Sequence, residues 1–241
     1  MKVIVIIPAA GLGTRMSAAA SAKAKKAVPS KQFTELNGTP VLIHTLRRFA
    51  VKPVSDIYIA LRKNEMAGFR NRLEKEAKEV LAKKIQLVEG GEHRQESVAN
   101  ALAALTSAPD DIVLVHDAVR PFVTEEIIHD VIEATKKYGA AIAGYPAVDT
   151  LKQVERTAEG ALVSVTIPRE RVVMAQTPQG FRYEVLKKAF DEAAADGFVG
   201  TDEASLVERS GHPVAVVMGS PRNIKITTPA DMELAEFYLK Q

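Results

Sequence analysis

The fold is decided by the stretch Val3-Ile4-Val5-Ile6-Ile7-Pro8-Ala9-Ala10-Gly11-Leu12-Gly13-Thr14-Arg15-Met16. Its aliphatic run, Val3–Ile7, predicts a strand that is buried on both faces, as in the middle of a parallel sheet. Small residues follow, so backbone N–H groups can approach an anion closely, and Arg15 adds a full positive charge. The small residues of this loop are Ala9, Ala10, Gly11 and Gly13. The stretch therefore predicts a phosphate-binding loop; the alternative is a tight strand-to-helix turn with an incidental arginine.

Two common phosphate loops do not fit this stretch. A P-loop is excluded because no Gly-Lys-Ser/Thr ends it. A dinucleotide fingerprint fits poorly, since Met16 stands where the third glycine should be and no acidic residue closes the second apolar run, Ile57–Leu61. Proline directly after the strand, with Arg15 in the loop, favours a nucleoside triphosphate held by its phosphates.

Composition sets the broad class. The chain has 241 residues, of which 46% are hydrophobic and 26% charged, as in an ordinary globular protein. The formal net charge of +2 implies no bulk attraction to nucleic acid or to a membrane. The absence of cysteine excludes disulfides, thiolate metal sites and a cysteine nucleophile. No apolar run is long enough for a signal peptide or a membrane span, so we expect a cytoplasmic protein without nucleic-acid or membrane partners.

Alternating strands and helices predict an α/β, Rossmann-like domain over residues 1–241. Its mostly parallel sheet should carry helices on both faces. After the first strand, strands are predicted at 54–61, 85–88, 111–115, 140–145 and 214–218. Helices are predicted to open at Thr39–Pro40, to span 65–81, 98–105 and 183–195, and to follow the N-caps Thr124, Thr201 and Thr228.

The pattern changes over residues 146–177, the segment we call the β-arm. Thr150–Glu155 and Ala161–Thr166 alternate as two strands around a polar turn, which predicts an antiparallel hairpin outside the main sheet. Because a lone hairpin is marginally stable, we expect it to rest on a second subunit.

Polar residues follow the fourth predicted strand, where a parallel sheet binds its ligands. Asp117 comes directly after the strand and could hold Mg²⁺ together with substrate phosphates; the alternative is an aspartate that caps a turn. Arg120 could grip a phosphate, or could instead pair with Asp117. His116 is interpreted as structural, and the scattered histidines do not indicate a zinc site.

A second polar cluster follows the third predicted strand. Gly91-Glu92 and Ser97 could accept hydrogen bonds from a cytosine amino group, or could form a glycine turn with a helix cap. Lys31 and Lys225 are cations in extended settings, although most surface lysines simply face solvent.

Together these residues resemble a known family. Motifs in the same order occur in 2-C-methyl-D-erythritol 4-phosphate cytidylyltransferases, and the match runs over nearly the whole chain. The motifs are Pro8-Ala9-Ala10-Gly11-x-Gly13-x-Arg15-Met16, Pro29-x-Lys31-Gln32-Phe33, His116-Asp117-Ala118-x-Arg120-Pro121, Asp149-Thr150, Thr177-Pro178-Gln179, Thr201-Asp202-Glu203-Ala204 and Asn223-x-Lys225-x-Thr227.

The resemblance implies an enzyme of non-mevalonate isoprenoid synthesis. It would join CTP and methylerythritol 4-phosphate into the CDP-alcohol, release pyrophosphate, require Mg²⁺ near Asp117, and form a homodimer through the β-arm. The implied catalytic residues are Arg15, Lys31, Arg169 and Lys225. The implied CTP-binding residues are Ala9, Ala10, Gly11, Gly13, Gly91, Glu92, Ser97, Asp117 and Ala118. The implied residues for the methylerythritol phosphate are Asp117, Arg120, Thr150, Arg169, Thr177, Lys225 and Thr227, of which Thr150 and Arg169 would come from the neighbouring subunit.

Several alternatives stay open at this point. Ser30 separates Pro29 from Lys31 where the family has Pro-Lys-Gln, which makes Lys26 an alternative to Lys31. The acceptor could be ribitol 5-phosphate or another polyol phosphate. The chain could also be a catalytically silent nucleotide-binding module or, with little support from its glycines, a dinucleotide-dependent dehydrogenase.

Overall fold

A computed structural model of the chain describes residues 1–11 and 30–241. The predictions for Gly13, Arg15 and Lys26 lie outside the described residues. The strands are β1 (Val3–Pro8), β2 (Glu35–Leu36), β3 (Thr39–Pro40), β4 (Val54–Leu61), β5 (Lys84–Glu89), β6 (Ile112–Val115), β7 (Ala140–Pro146), β8 (Leu151–Thr157), β9 (Gly160–Ile167), β10 (Val173–Arg182) and β11 (Ala215–Met218). The α-helices are α1 (Val41–Arg48), α2 (Lys63–Glu76), α3 (Arg94–Ala103), α4 (Glu125–Tyr138), α5 (Tyr183–Ala195), α6 (Glu203–Arg209) and α7 (Pro229–Leu239).

A seven-stranded sheet with the order β11-β7-β10-β6-β1-β4-β5 forms the centre of the described chain. β1 pairs in parallel with β4 on one side and β6 on the other. Val5, Ile6 and Ile7 are fully buried, because both faces of β1 are covered. The central position predicted for this strand is therefore confirmed.

Helices cover both faces of the sheet. Alternate residues of β1 enter two separate apolar clusters, as the period of a strand requires. Val5 and Ile7 pack with residues of α1, α2 and α4, while Ile4 and Ile6 pack with α3, α5 and α6. The predicted fold class, a mostly parallel α/β sheet between two helical layers, is confirmed.

The strand β10 is antiparallel to both of its neighbours, β6 and β7, and the sequence pattern predicted no strand there. Polar side chains in it are buried, which hid the strand in the sequence: Gln176, Thr177 and Gln179 are each at most 5% exposed. A Cβ at Gly180 would overlap atoms of α4, so glycine lets that helix lie directly on β10.

Some predicted element boundaries were wrong. Thr39 and Pro40 belong to a two-residue strand that pairs with β2, and α1 begins at Val41. Asp202, not Thr201, is the N-cap of α6, and its carboxylate accepts from the backbone N–H of Ser205. The helix predicted at 65–81 spans Lys63–Glu76 and is followed by a 3₁₀ turn at Val80–Ala82.

Three helix ends follow their local signals closely. Thr124 caps α4, and Gly139, at φ 84°, ends it in the left-handed conformation. Thr228 and Asp231 form a reciprocal capping box at the start of α7, with Pro229 in the first turn.

The β-arm contains β8 and β9, which pair only with each other. Its last residues, from Val173 onward, already belong to β10. Most of its side chains are exposed, and these include large apolar ones: Val154 is 45% exposed, Leu162 67%, Val163 61% and Val165 49%.

Candidate active site

Two adjoining cavities lie at the carboxyl ends of β1 and β6, the edge at which parallel sheets bind ligands. Their volumes are about 100 and 190 Å³, and they share Arg94, Asp117 and Lys225. The first is also lined by Pro8, Ala9, Ala10, Gly11, Lys31, Gln32, Ser97, Ala118 and Val119. The second is also lined by Arg120, Ala175, Gln176, Thr177, Gln179, Thr201 and Asp202.

Asp117 lies at the junction of the cavities, and three cations contact its carboxylate. Arg94 Nε is 3.1 Å from Oδ1, while Arg120 Nε and Lys225 Nζ are 3.2 and 2.8 Å from Oδ2. Burial alone would raise the pKa of Asp117, but the positive charges of Arg94, Lys225 and Arg120 outweigh it and hold that pKa well below its usual value. Asp117 is therefore ionised at neutral pH.

Arg120 has the ion pair that the sequence left as an alternative. Besides contacting Asp117, its Nη1 donates to the carbonyl of Asn223 at 2.6 Å, and its side chain is 11% exposed. Its role toward a substrate phosphate stays a prediction.

His116 is fully buried and bonded through both ring nitrogens. Nε2 lies 3.0 Å from the carbonyl oxygen of Arg120, which can only accept, so Nε2 carries the proton. Nδ1 then accepts from the Thr177 hydroxyl at 3.1 Å, and that hydroxyl oxygen accepts from the backbone N–H of Asp117 at 3.0 Å. Burial lowers the pKa of His116 to about 4, which keeps the ring neutral. This chain of bonds ties the loop after β6 to β10 and agrees with a structural His116.

The small-residue loop is held in place by its neighbours. Ala9 donates its backbone N–H to the carbonyl of Ala60 at 2.8 Å, and the buried Gln32 side chain donates to the carbonyl of Ala9 at 2.6 Å. Gln32 belongs to a 3₁₀ turn at Lys31–Phe33, which brings Lys31 to the wall of the first cavity. The role of Lys31 toward a triphosphate stays a prediction.

The loop after β5 packs directly on the small-residue loop. A Cβ added at Gly90 would overlap the Cβ of Ala10, so only glycine permits this approach. Ser97 lines the first cavity, and its hydroxyl accepts from the backbone N–H of Gly91 at 3.1 Å. Gly91 and Glu92 line neither cavity, and the Glu92 backbone N–H donates to the Glu96 carboxylate at 2.8 Å. Base recognition by Gly91 and Glu92 stays a prediction.

Three of the predicted substrate residues lie away from this cleft. Thr150 and Arg169 are exposed on the β-arm, where Arg169 Nη1 donates to the carbonyl of Val148 at 2.7 Å. The Thr227 hydroxyl donates to Asp231 at 2.9 Å and lines neither cavity. Of the predicted site residues, the structure thus brings together Ala9, Ala10, Gly11, Lys31, Ser97, Asp117, Ala118, Arg120, Thr177 and Lys225.

Two charged residues of the cleft were missed by sequence reasoning. Arg94 is the first residue of α3, and its Nη1 donates to both carboxylate oxygens of Glu203 at 2.6 and 2.8 Å. Both residues stand within polar motifs that the sequence presented, but only the fold shows that they pair.

The fit of a magnesium ion rests on Asp117. In the described ranges, 1–11 and 30–241, no cluster of three or more His, Asp or Glu side chains is arranged to hold a metal. Mg²⁺ often takes only one or two protein carboxylates and completes its shell with substrate phosphates and waters. An ionised Asp117 beside the phosphate loop fits an ion that arrives bound to a triphosphate.

Fold and cleft together define an α/β nucleotidyltransferase. Two solved structures resemble the chain over its full extent. A 4-diphosphocytidyl-2C-methyl-D-erythritol synthase from Anaerococcus prevotii superposes with a TM-score of 0.81 at 31% identity, covering 100% of this chain and 99% of that one. The 2-C-methyl-D-erythritol 4-phosphate cytidylyltransferase of Francisella tularensis gives 0.79 at 36% identity, with 98% and 99% covered.

Sequence relatives agree with the structures. The chain is 57% identical over 243 aligned positions to the 2-C-methyl-D-erythritol 4-phosphate cytidylyltransferase of Acidobacterium capsulatum, covering 100% of this chain and 98% of that protein. The Solibacter usitatus protein of the same name is 51% identical, with 100% and 97% covered. The family model for 2-C-methyl-D-erythritol 4-phosphate cytidylyltransferase matches residues 3–241. The chain belongs to this family, and the resemblance noted from its motifs is confirmed.

Within the part of the chain that the structure describes, no helix is both long enough and apolar enough to cross a bilayer.

Proposed function

We propose that this enzyme transfers the CMP moiety of CTP to 2-C-methyl-D-erythritol 4-phosphate, giving 4-diphosphocytidyl-2-C-methyl-D-erythritol and pyrophosphate. One observation carries the proposal: a cluster of cations surrounds Asp117 beside a small-residue loop, at the ligand-binding edge of a sheet whose chain matches this family over residues 3–241. None of the relatives described above is named for ribitol 5-phosphate, so the alternative polyol substrate is not favoured.

The chemistry is one displacement at the α-phosphorus of CTP. An oxygen of the acceptor phosphate forms a new P–O bond there, and the bond to the bridging oxygen of the β-phosphate breaks, so that pyrophosphate leaves with the electron pair. The attacking oxygen is already ionised at neutral pH, and therefore no general base is needed. The barrier comes from bringing two polyanions together and from charge that grows around the phosphorus, which positioned cations reduce.

Lys225 is placed for this task, because it lines both cavities and its side chain is 35% exposed, whereas Arg94, which also lines both, is bonded to the buried Glu203. We place the triphosphate in the first cavity, beside Lys31, Ala9, Ala10 and Gly11, and the acceptor phosphate in the second, beside Arg120 and Thr177. Lys225 then stands between the two polyanions. Arg15 would add to the triphosphate side, as the family resemblance implies.

A divalent cation, Mg²⁺, is part of the proposal. Asp117 would hold it together with oxygens of CTP, and when bound the ion supplies positive charge to the triphosphate. The chain's own cations carry the rest of the neutralisation: Lys31 at the first cavity, Arg120 at the second, and Lys225 at both.

The β-arm supplies the rest of the acceptor site in this proposal. Thr150 and Arg169 line neither cavity of their own chain, and the apolar side chains of β8 and β9 are exposed in the single chain. A homodimer in which each β-arm crosses to the neighbouring subunit would cover these side chains. It would also bring Thr150 and Arg169 to the cleft of the neighbouring subunit. The whole chain would then act as one nucleotidyltransferase domain. We propose that the enzyme works in the cytoplasm, where CTP is available.

A turnover assay tests the function directly. Purified protein with Mg²⁺ and CTP is given methylerythritol 4-phosphate, ribitol 5-phosphate or no acceptor, and released pyrophosphate is measured while the product is identified by mass. We expect pyrophosphate and the CDP-alcohol with methylerythritol 4-phosphate. The proposal would be contradicted if ribitol 5-phosphate supported turnover and methylerythritol 4-phosphate did not. It would also be contradicted if no pyrophosphate were released with either acceptor.

A further inference from the structure

The ion cluster around Asp117 extends to a second buried carboxylate. Glu203 is 1% exposed and accepts two hydrogen bonds from Nη1 of Arg94, while Nε of the same guanidinium donates to Asp117. Arg94 therefore bridges two carboxylates through different edges of one planar group. Burial raises the pKa of Glu203, and the charge of Arg94 opposes that rise.

Arg94 differs from Lys225, another partner of Asp117. Lys225 ends in a single ammonium on a flexible stem and lines both cavities, so it can turn from Asp117 to an incoming phosphate. The guanidinium of Arg94 is bonded to both Asp117 and Glu203. If it turned toward a phosphate, the buried Glu203 would lose this partner.

The backbone around Glu203 is fixed independently of Arg94. Gln179, buried in β10, donates to the Asp202 carboxylate at 2.7 Å and accepts from the backbone N–H of Ala204 at 3.1 Å. Gln95, next to Arg94 in α3, accepts from the backbone N–H of Gly200 at 2.9 Å. The first turn of α3 is thus tied to the loop before α6, and the first turn of α6 is tied to the sheet.

We propose that Glu203 is a positioning residue for the transfer reaction: it holds the guanidinium of Arg94 against Asp117, so that this carboxylate keeps its orientation when Lys225 turns to the substrate phosphates. Without Glu203, the guanidinium of Arg94 can rotate, so Oδ1 of Asp117 loses its fixed donor while Lys225 turns away, and Arg120 then holds the carboxylate through Oδ2. The inference rests on the proposed function, because it assigns a role within that reaction.

Steady-state kinetics on four variants test this inference. Glu203→Gln removes the charge at nearly constant shape, Glu203→Asp keeps the charge on a shorter side chain, and Arg94→Gln removes the bridging group. The fourth is the double variant E203Q/R94Q. We expect Glu203→Gln to lower kcat by about 10-fold or more, the size typical of groups that orient a functional side chain, and to change the KM for CTP by less than about 3-fold.

The kcat values of the conservative and double variants distinguish a positioning role from a merely structural one. Glu203→Asp should keep more of the wild-type kcat than Glu203→Gln. The double variant should be no slower than Arg94→Gln alone, because Glu203 acts only through Arg94. Wild-type kcat in a folded Glu203→Gln variant, or a double variant that is clearly slower than Arg94→Gln, would overturn the proposal.

Controls separate this inference from the proposed function. Wild-type protein must release pyrophosphate in the same assay; if it does not, the function itself fails. Glu79→Gln removes an exposed acid that pairs with Arg47 far from the cleft, and it should leave kcat unchanged. Thermal unfolding shows which variants fold. If Glu203→Gln does not fold, the double variant E203Q/R94Q decides, because it leaves neither of the two buried charges unpaired: a lowered kcat supports the positioning role, and a wild-type kcat overturns it.

Discussion

Lys225 Nζ lies 2.8 Å from Asp117 Oδ2, which joins the segment before α7 to the end of β6. The backbone next to Lys225 is also bonded to the loop after β6. Ile226, the next residue, is fully buried and donates its backbone N–H to Val119 at 2.9 Å. An incoming phosphate must therefore compete with Asp117 for this lysine.

Removing the Lys225 charge should abolish most turnover while the fold survives. Lys225→Ala leaves Asp117 paired with Arg94 and Arg120, so the buried carboxylate keeps two cations. We expect kcat to fall on the order of 10²- to 10³-fold, by analogy with the loss of one oxyanion donor. Pyrophosphate release at saturating CTP and acceptor measures this.

A surface lysine supplies the comparison. Lys84 is 69% exposed and pairs with Asp56 at 3.8 Å, so Lys84→Ala should keep wild-type turnover. Unchanged kcat in a folded Lys225→Ala variant would exclude Lys225 from the reaction.

Replacing Asp117 should cost stability as well as activity. Asp117→Asn removes the buried anion that three cations share, and uncompensated buried charges are strongly destabilising. We expect the free energy of unfolding to drop by about 3 kcal/mol in urea titrations at pH 7. Asp110→Asn, at an exposed site, should change it by less than about 0.5 kcal/mol. A stability of Asp117→Asn equal to wild type would show that the cations do not depend on this carboxylate.

His116 should make the fold sensitive to mild acid. Because burial lowers its pKa from 6.5 to about 4, the unfolded chain binds a proton on this ring at a pH where the folded chain does not. Stability from this residue is therefore present above pH 6.5 and is lost as the pH falls toward 4, by about 3 kcal/mol in all. Unfolding free energies at several pH values between 7 and 4.5 measure the slope.

The His116→Gln variant isolates this contribution. The pKa of Glu203 is raised by burial and gives the opposite slope, so the difference between wild type and variant is the relevant quantity. The variant should be less stable at pH 7 and should lose less stability on acidification. Parallel pH profiles for the two proteins would contradict the neutral, buried His116.

Charges on the β-arm should break the proposed dimer. Leu162 and Val165 pair with Glu155 and Gln153, which lie two residues apart on β8, so both apolar side chains share one face of the hairpin. The double variant L162D/V165D should therefore sediment as a monomer at concentrations where the wild type is a dimer, and it should lose activity with the acceptor. Glu159→Gln, in the exposed turn, serves as the control. A wild-type monomer would remove the dimer from the proposal.

Local signals in the sequence predicted much of the fold. The aliphatic run of β1, the cap at Thr124 and the left-handed Gly139 act within a few residues, and the structure has each of them as predicted. β10 could not be predicted in this way, because its buried polar residues have partners only after the sheet has formed. Gln176, for example, bonds to Ser220 and Asn223.

The site was predictable to a similar depth. Strand ends locate Asp117 and the small-residue loop at one edge of the sheet, and the structure places them there together with Lys31 and Lys225. The Arg94–Glu203 pair joins the first turns of two helices that are remote in sequence, so no spacing rule indicates it. The acceptor half of the site stays a prediction, since Thr150 and Arg169 line neither cavity of their own chain.

Both stems of the β-arm continue strands that are neighbours in the central sheet. Val173 of β10 pairs with Pro146 of β7, so the hairpin leaves and re-enters at one paired position. The exposed turn at residues 157–160 lines neither cavity of the cleft. A short peptide tag inserted between Ala158 and Glu159 should be tolerated. The tag, or a fluorophore attached to it, would allow assembly to be followed in solution.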